Sequence, residues 1–195
     1  VTVASDNFNR ADGALGANWH GESPDAAMAI VSQQAVGVSA VSPNSGYWSA
    51  DSFGADQFSQ ATITVHPASG KWVGVTVRAL ADGTEYLLIA FNNSGTDSWL
   101  LFKRTGGGSS FTQIGSTVVT PIVVSQVMRL EVEGTTVTAK VDGAAIITQT
   151  DSDIAAGAPG ISNSGVADPA NGALDNWSGG DVTADVFVPV ILEYA

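Results

Sequence analysis

The sequence predicts an all-β protein, a sandwich or a barrel, and three observations carry that expectation. Short runs rich in Val and Thr recur about every 8–12 residues, the spacing of such folds. Clusters of Gly, Asn, Asp and Ser separate them, and 22 of the 195 residues are glycine. No segment shows an apolar stripe at helical spacing, and there is no internal repeat. A chain of this length buries roughly 70% of its unfolded surface, so its core needs no disulfide staple. It contains no cysteine.

The opening run DNFNRADGALGANW, Asp6 to Trp19, is too polar and glycine-rich for a helix and too irregular for one strand. It reads as a first corner, with Asp12-Gly13 turning and Leu15 and Trp19 plugging the underside. MAIVS, QAVGVS and GYWSA follow as short strands. In QFSQATITVHP, Phe58, Ala61, Ile63 and Val65 suggest one buried face, with a slip of register near Gln60. KWVGVTVRAL sets Val73, Val75 and Val77 against Trp72, Gly74, Thr76 and Arg78. TEYLLIAF and SWLLFKR are denser apolar runs, the mark of central strands covered on both faces, and Trp99 belongs to the core. GGGSS, 106–110, is a loop inside a hairpin.

The clearest local pattern is VMRLEVEGTTVTAKVDGAAIITQT, Val127 to Thr150. Met128, Leu130 and Val132 point one way, and Arg129, Glu131 and Glu133 the other. Turns at Gly134-Thr135 and Asp142-Gly143 fold it into a three-stranded meander with one wet face. Composition shifts after SGGD, Ser178 to Asp181, where VTADVFVPVILEYA alternates again. The expected division is therefore a sandwich over residues 1–181 and an added strand over 182–195. Pro189 gives that strand a free or irregular edge.

Charge narrows the partners. Seven Lys plus Arg stand against nineteen Asp plus Glu, a net charge of −12, so phosphate backbones and anionic lipid would repel the chain. No apolar run approaches the length of a membrane helix. Without cysteine there are no thiolate metal sites. VTVASD has no basic start followed by an apolar segment, so no secretory leader is read in it.

Asp6-Asn7-Phe8 is echoed by Asp175-Asn176-Trp177. If first and last strands pair, the two segments lie side by side, with Phe8 and Trp177 in the core and the Asp and Asn side chains capping backbone at the seam. Together with MAIVSQQAVG, VGVTVRA, TEYLLIAF, MRLEVEGTTVTAKVDG and the closing APGI…LDNWSGGD, these segments resemble the laminin-G-like, concanavalin A-like jelly roll over Ser5–Asp181. In particular they resemble the version found in bacteriophage virion proteins, of the minor tail, tail fibre and head decoration, and in some bacterial secreted proteins. The resemblance implies an antiparallel two-sheet jelly-roll sandwich with an extra C-terminal strand. It is weakly specific for function, because the fold also hosts lectins, glycan-binding modules and glycanases.

Catalytic chemistry is hard to find. A glycanase needs two carboxylates facing one sugar, and the E-x-D-x-E strand of this fold's glycanases has only Glu131-x-Glu133 as a counterpart. His20 and His66 are isolated, and no nucleophile elbow or phosphate loop occurs. The expectation is a non-enzyme that requires no cofactor. The resemblance leaves room for a structural Ca²⁺, for which Asp6, Asp12 and Asp175 are candidates if the termini meet, with Asp151–Asp153 a further acidic cluster. Glycan contact would fall to Tyr47, Trp48, Trp72 and Arg78: neighbouring strand residues face opposite ways, so one ring of Tyr47-Trp48 points outward.

The closing strand sharpens the expected role. A flat apolar strand left on a monomer aggregates, so it folds back or docks on another subunit. Val186, Phe187, Val188, Val190, Ile191, Leu192 and Tyr194 are its assembly residues. The leading expectation is a virion-surface structural protein contacting its own copies, other virion proteins and cell-surface polysaccharide, with neither nucleic acid nor membrane insertion. The alternative is a secreted bacterial carbohydrate-binding module or lectin, and the third a glycan-active enzyme.

Overall fold

The computed structural model describes residues 1–23, 25–39, 43–106 and 110–182. The chain runs through β1 (Val3–Asp6), β2 (Gly13–Ala14), β3 (Trp19–Gly21), β4 (Met28–Val31), β5 (Gln34–Gly37) and β6 (Asn44–Trp48). It continues with β7 (Gln57–Val65), β8 (Lys71–Ala79), β9 (Glu85–Asn93), β10 (Thr96–Arg104) and β11 (Thr112–Gln113). Last come β12 (Val127–Glu133), β13 (Thr136–Val141), β14 (Ala144–Thr150), β15 (Ala158–Asn163) and β16 (Ala173–Asp181), with one 3₁₀ turn at Pro169–Asn171.

Two antiparallel sheets result. Sheet A has the order β14-β13-β12-β7-β16-β5-β4-β2, with β1 also on β16, and sheet B the order β11-β10-β9-β8-β15-β6-β3. The expected meander is β12-β13-β14. Its Asp142-Gly143 turn places both residues at positive φ, 49° and 81°, the requirement of a tight hairpin.

The termini meet. β1 pairs with β16 in the register Asp6↔Trp177 and Ser5↔Ser178. Phe8 and Trp177 are buried, and Leu15 and Trp19 pack beneath the corner as expected. Asp6 Oδ1 accepts from Phe8 N, Asn7 Oδ1 from Asn9 N and Asp175 Oδ1 from Asn176 N, so the polar residues of both segments cap local backbone. β16 ends at Asp181, whose carboxylate accepts from Thr2 N and Gly54 N. The assembly residues Val186 to Tyr194 lie outside the described residues.

Val73, Val75 and Val77 of β8, Tyr86, Leu88 and Ala90 of β9, and Met128, Leu130 and Val132 of β12 fill the core with Trp19, Trp48, Trp99 and Trp177. Sheet B is covered on its other face too: Leu87 and Ile89 are buried there, as the dense apolar runs implied.

Two expected facings are corrected. Burial along β7 alternates strictly, which puts Gln57, Ser59, Ala61 and Ile63 inside and Phe58 outside. A register shift does fall beside Gln60, in the pairing with β16 between Asp175 and Ser178, but it does not bring Phe58 inside. Polar residues occupy core positions because each has work there. Ser59 Oγ donates to Gly160 O at 2.7 Å and accepts from Trp177 Nε1 at 2.9 Å, tying sheet A to sheet B. Phe58 instead carries the Arg129 guanidinium 3.9 Å above its ring. The outer face of the meander is also drier than expected, because Glu131 is buried between Arg129 and Lys140.

Candidate functional site

The site lies on the outer face of sheet B, where the chain leaves β3. Pairing of β3 with β6 ends at Gly21↔Gly46, and the chain rejoins β6 at Ala26, whose N–H bonds Pro43 O at 3.2 Å. Between these points it crosses to the β8–β9 turn, where Ser23 N donates to Ala81 O at 2.9 Å. Glu22 and Asp25 are thereby carried to Arg104, the last residue of β10.

Arg104 holds three carboxylates. Its Nη2 lies 3.2 Å from Glu22 Oε2, 2.6 Å from Asp25 Oδ2 and 2.9 Å from Glu85 Oε1, while Nη1 donates to Asp25 Oδ1 at 2.7 Å. Nε donates to Gly83 O, and the Phe111 ring lies under the guanidinium at 4.7 Å. The four side chains are 0–1% exposed. Gly83 is required here: its φ is +82°, and a Cβ would meet Ser23 O at 2.7 Å and Arg104 Nη2 at 2.8 Å.

This packing leaves polar atoms without partners. Among the described residues, Glu22 Oε1, Glu85 Oε2 and Thr76 Oγ1, all on residues of this face, find no hydrogen-bond partner. Burial and the neighbouring Glu85 charge push the Glu22 carboxyl well above its ordinary range. Burial pushes Glu85 up to about 8, against the opposing pull of Arg104.

Beside this cluster, on the exposed edge, the His20 and Tyr47 rings lie 5.4 Å apart and tilted by 35°. They are cross-strand neighbours in the β3–β6 pair. His20 is exposed and Tyr47 half-buried. Burial, then the Glu22 charge, raises the Tyr47 phenol, which places that ring within electrostatic reach of the cluster.

The residues singled out from sequence divide sharply. Tyr47 faces outward, and Trp72 is half-exposed at the far end of the same face, paired with Phe91 across β8–β9. Trp48 is core: it packs against Trp19 and Trp177 at 5.5 and 5.4 Å, and its Nε1 donates to Asp51 at 2.7 Å. Arg78 is also closed to a glycan. It takes a positive φ of 52° at a bulge, which turns its guanidinium off the outer face onto the carbonyls of Ala55, Ile154 and Gly134.

The expected cation triad does not converge. Asp6 and Asp175 are neighbours at the seam, close enough that Asp6 adds to the upward push of burial on Asp175. Yet Asp6 is already held by Arg10, Trp19 Nε1 and Phe8 N, and Asp12 accepts from Ser32 N at 2.8 Å. Asp151 and Asp153 share Lys103. His66 bonds Asp97 at 3.0 Å, away from His20.

No family model and no curated protein matches the chain. Solved structures do. The chain is similar to the carbohydrate-binding module CBM66 from Bacillus subtilis, at 19% identity and TM-score 0.55 over 85% of this chain and 94% of that one. It is similar to the exoplasmic/lumenal domain of VIP36 in its Ca²⁺/Man-bound form, at 10% identity and TM-score 0.61 over 88% and 86%. A Bacillus subtilis protein of unknown function with a galectin-like fold gives 11% identity and TM-score 0.61 over 84% and 89%. A transglycosylase, Crh5, is among the other matches. The fold is a galectin-like, concanavalin A-like jelly roll. These likenesses span most of both chains.

Proposed function

We propose that this protein is a carbohydrate-binding module, and that it takes glycan on the outer face of sheet B at the His20–Tyr47 edge. The observation that carries the reading is the cross-strand pair of exposed His20 and half-buried Tyr47 rings on the outer face, backed by the closed Arg104 cluster that fixes the chain beside it. Sugar recognition uses an apolar ring for the pyranose face and a few fixed polar groups for its hydroxyls. Several proteins that share the fold are carbohydrate binders by name.

Hydrolysis is a weaker reading. The three carboxylates at Arg104 are all bound to one guanidinium and closed to solvent, and Glu131 is clamped by Arg129 and Lys140. A glycanase instead presents two carboxylates to one sugar in an accessible cleft. The virion role implied by the opening and closing motifs draws no support from the matched structures, so the carbohydrate-binding alternative takes precedence.

A glycan array followed by titration of the retained sugar tests this. Wild-type chain is expected to retain a defined glycan class, and Tyr47→Ala to weaken it about tenfold or more, the loss of one good contact at 1.4 kcal/mol per decade. Retention of no glycan defeats the function. Unchanged binding by both Tyr47→Ala and His20→Ala defeats the site.

A further inference from the structure

We propose that a cleft between the open edges of the two sheets takes the acetamido group of an N-acetylated sugar bound at the His20–Tyr47 edge. The inference rests on the reading of that edge as the glycan face, and it adds the class of sugar selected there.

Between β2, the edge strand of sheet A, and β3, the edge strand of sheet B, lies a cleft of about 110 Å³. Buried Leu15, Trp19 and Met28 wall it, and exposed His20 and Gly21 stand at its rim. Its cause is local. Trp19 faces the core, so Gly21, two residues on, takes the next inward position of β3, directly across from Gly46 of β6. Inward positions elsewhere in sheet B hold Val, Leu or Trp. Here two facing positions carry no side chain, and the gap stays open.

Size and chemistry choose the occupant. The volume is well under the roughly 300–1,000 Å³ of a pocket that encloses a whole small ligand, so it suits one substituent. The walls are a leucine, a thioether chain and an indole, which hold water poorly and favour a methyl group. The rim is different. β3 pairs only with β6, so one row of its backbone groups faces the open side. Asn18 O accepts from Ser49 N at 2.8 Å, and Trp19 N turns away from β6 to Gly16 O at 3.1 Å. The alternation of an antiparallel pair then sends the Gly21 N–H to the open side as well. A methyl that suits apolar walls, joined to a carbonyl that suits an N–H, is an acetamido group. A hydroxyl lacks the methyl, and a 6-deoxy carbon lacks the acceptor. His20 belongs both to the rim and to the exposed ring pair, which makes the cleft continuous with the glycan edge.

The test measures, by NMR titration of the purified chain, sugar pairs that differ only at C2: chitotriose against cellotriose, and N-acetylgalactosamine against galactose. The expected result is an acetamido member bound at least about fivefold more tightly than its partner, with saturation transfer strongest at the acetyl methyl. Gly46→Ala fills the cleft without forcing it. The new Cβ meets His20 O at 3.4 Å, Leu15 Cδ1 at 3.6 Å and Trp19 Cε3 at 3.9 Å, all ordinary contacts. It is expected to erase most of the preference with near-ultraviolet dichroism unchanged. If Gly46→Ala does not fold, Gly21→Ala, whose Cβ meets nothing within 4 Å, narrows the same cleft and carries the test. Sugars bound through Tyr47 with no preference for the acetamido member overturn the proposal and leave the glycan-binding reading standing. So does a preference that neither glycine variant alters. A stronger preference for L-fucose over L-galactose, lost in Gly46→Ala, assigns the cleft to a deoxy methyl and overturns the proposal too. Binding of no sugar, in these pairs or on an array, removes the proposal together with the reading it rests on.

Discussion

Trp19 Nε1 donates to Asp6 Oδ2 at 2.8 Å, joining a carboxylate at the terminal seam to the ring cluster of the core. Trp19 lies 4.6 Å from Trp177, 5.5 Å from Trp48 and 6.0 Å from Phe8. The same carboxylate accepts from Phe8 N and from both terminal nitrogens of Arg10, which also reaches Leu15 O. One side chain thus sets the path of the first corner, the entry of Phe8 and the orientation of Trp19. Asp6→Ala leaves the indole and the Phe8 amide unpaired, and is expected to cost about 2–4 kcal/mol, read from urea unfolding. Asp6→Asn keeps an acceptor and is expected to cost less.

Acid should undo the same contact. Burial alone would raise the Asp6 carboxyl, but bonds from Arg10, Trp19 and Phe8 outweigh it and hold it below its ordinary 3.8. Asp181 is also lowered, by the Thr2 and Gly54 amides. A carboxyl depressed in the folded state contributes stability that is present above its unfolded value and lost as pH falls through the folded one. Stability is therefore expected to drop below about pH 4, and the drop to be shallower in Asp6→Asn. A wild-type and variant that lose stability in parallel over that range would remove Asp6 from the account.

Much of the fold is legible because its signals are local. Asp142-Gly143 announces its own hairpin, Met128, Leu130 and Val132 alternate as they pack, and the Asp-Asn-aromatic echo marks strands that do pair. The candidate site is not local. Glu22, Asp25, Glu85 and Arg104 lie up to 82 residues apart and become a cluster only when the chain between β3 and β6 crosses sheet B. A signal did exist: Glu85 and Arg104 are charges set in the densest apolar runs, TEYLLIAF and SWLLFKR, where a lone charge needs a partner. Arg78 and Phe58 misled for a different reason. Alternation assumes an unbroken strand filled by apolar residues, whereas Arg78 flips at a left-handed bulge and Ser59 and Gln57 take the inner positions of β7.

The buried cluster gives stability a pH dependence opposite to that of Asp6. Glu85 has an ordinary value of 4.5 and is pushed up to about 8 in the fold, mainly by burial. Between those values the folded chain keeps a proton that the unfolded chain releases, so stability falls as pH rises through the window, by up to about 1.4 kcal/mol per pH unit for one proton. Wild-type unfolding midpoints are expected to decline from pH 5 to pH 8, about the span between the two values. Glu85→Gln should flatten the decline. An unchanged slope in that variant would assign it to another group.

Tyr47 and Trp48 are adjacent in β6 and should respond in opposite ways. Trp48 is 8% exposed within the tryptophan cluster, so Trp48→Ala leaves a large cavity and is expected to cost about 3–5 kcal/mol. Tyr47 stands on the outer face, so Tyr47→Ala should cost under about 1 kcal/mol while weakening glycan retention about tenfold or more. Thermal melts with sugar affinity electrophoresis separate the two. A Tyr47→Ala chain that melts like Trp48→Ala would make Tyr47 a structural residue.

Arg78 offers the sharpest test of a side chain turned inward. It is 3% exposed, and its guanidinium donates to Ala55 O at 3.0 Å, to Gly134 O at 2.8 Å and to Ile154 O at 2.5 Å. These carbonyls belong to three segments that meet at one end of the sandwich. Gln57 Oε1 accepts the Arg78 amide at 2.8 Å and fixes the bulge beneath it. Arg78→Met keeps the length of the stem but orphans three carbonyls, and is expected to cost about 3–5 kcal/mol in urea unfolding. Arg78→Lys should recover only part of that, because a single ammonium cannot reproduce the planar spread of the guanidinium over three acceptors. Arg78→Gly would separate backbone from side chain: it relieves the positive φ yet loses every bond, so a cost near that of Arg78→Met would show that the bonds, and not the turn, hold this end closed.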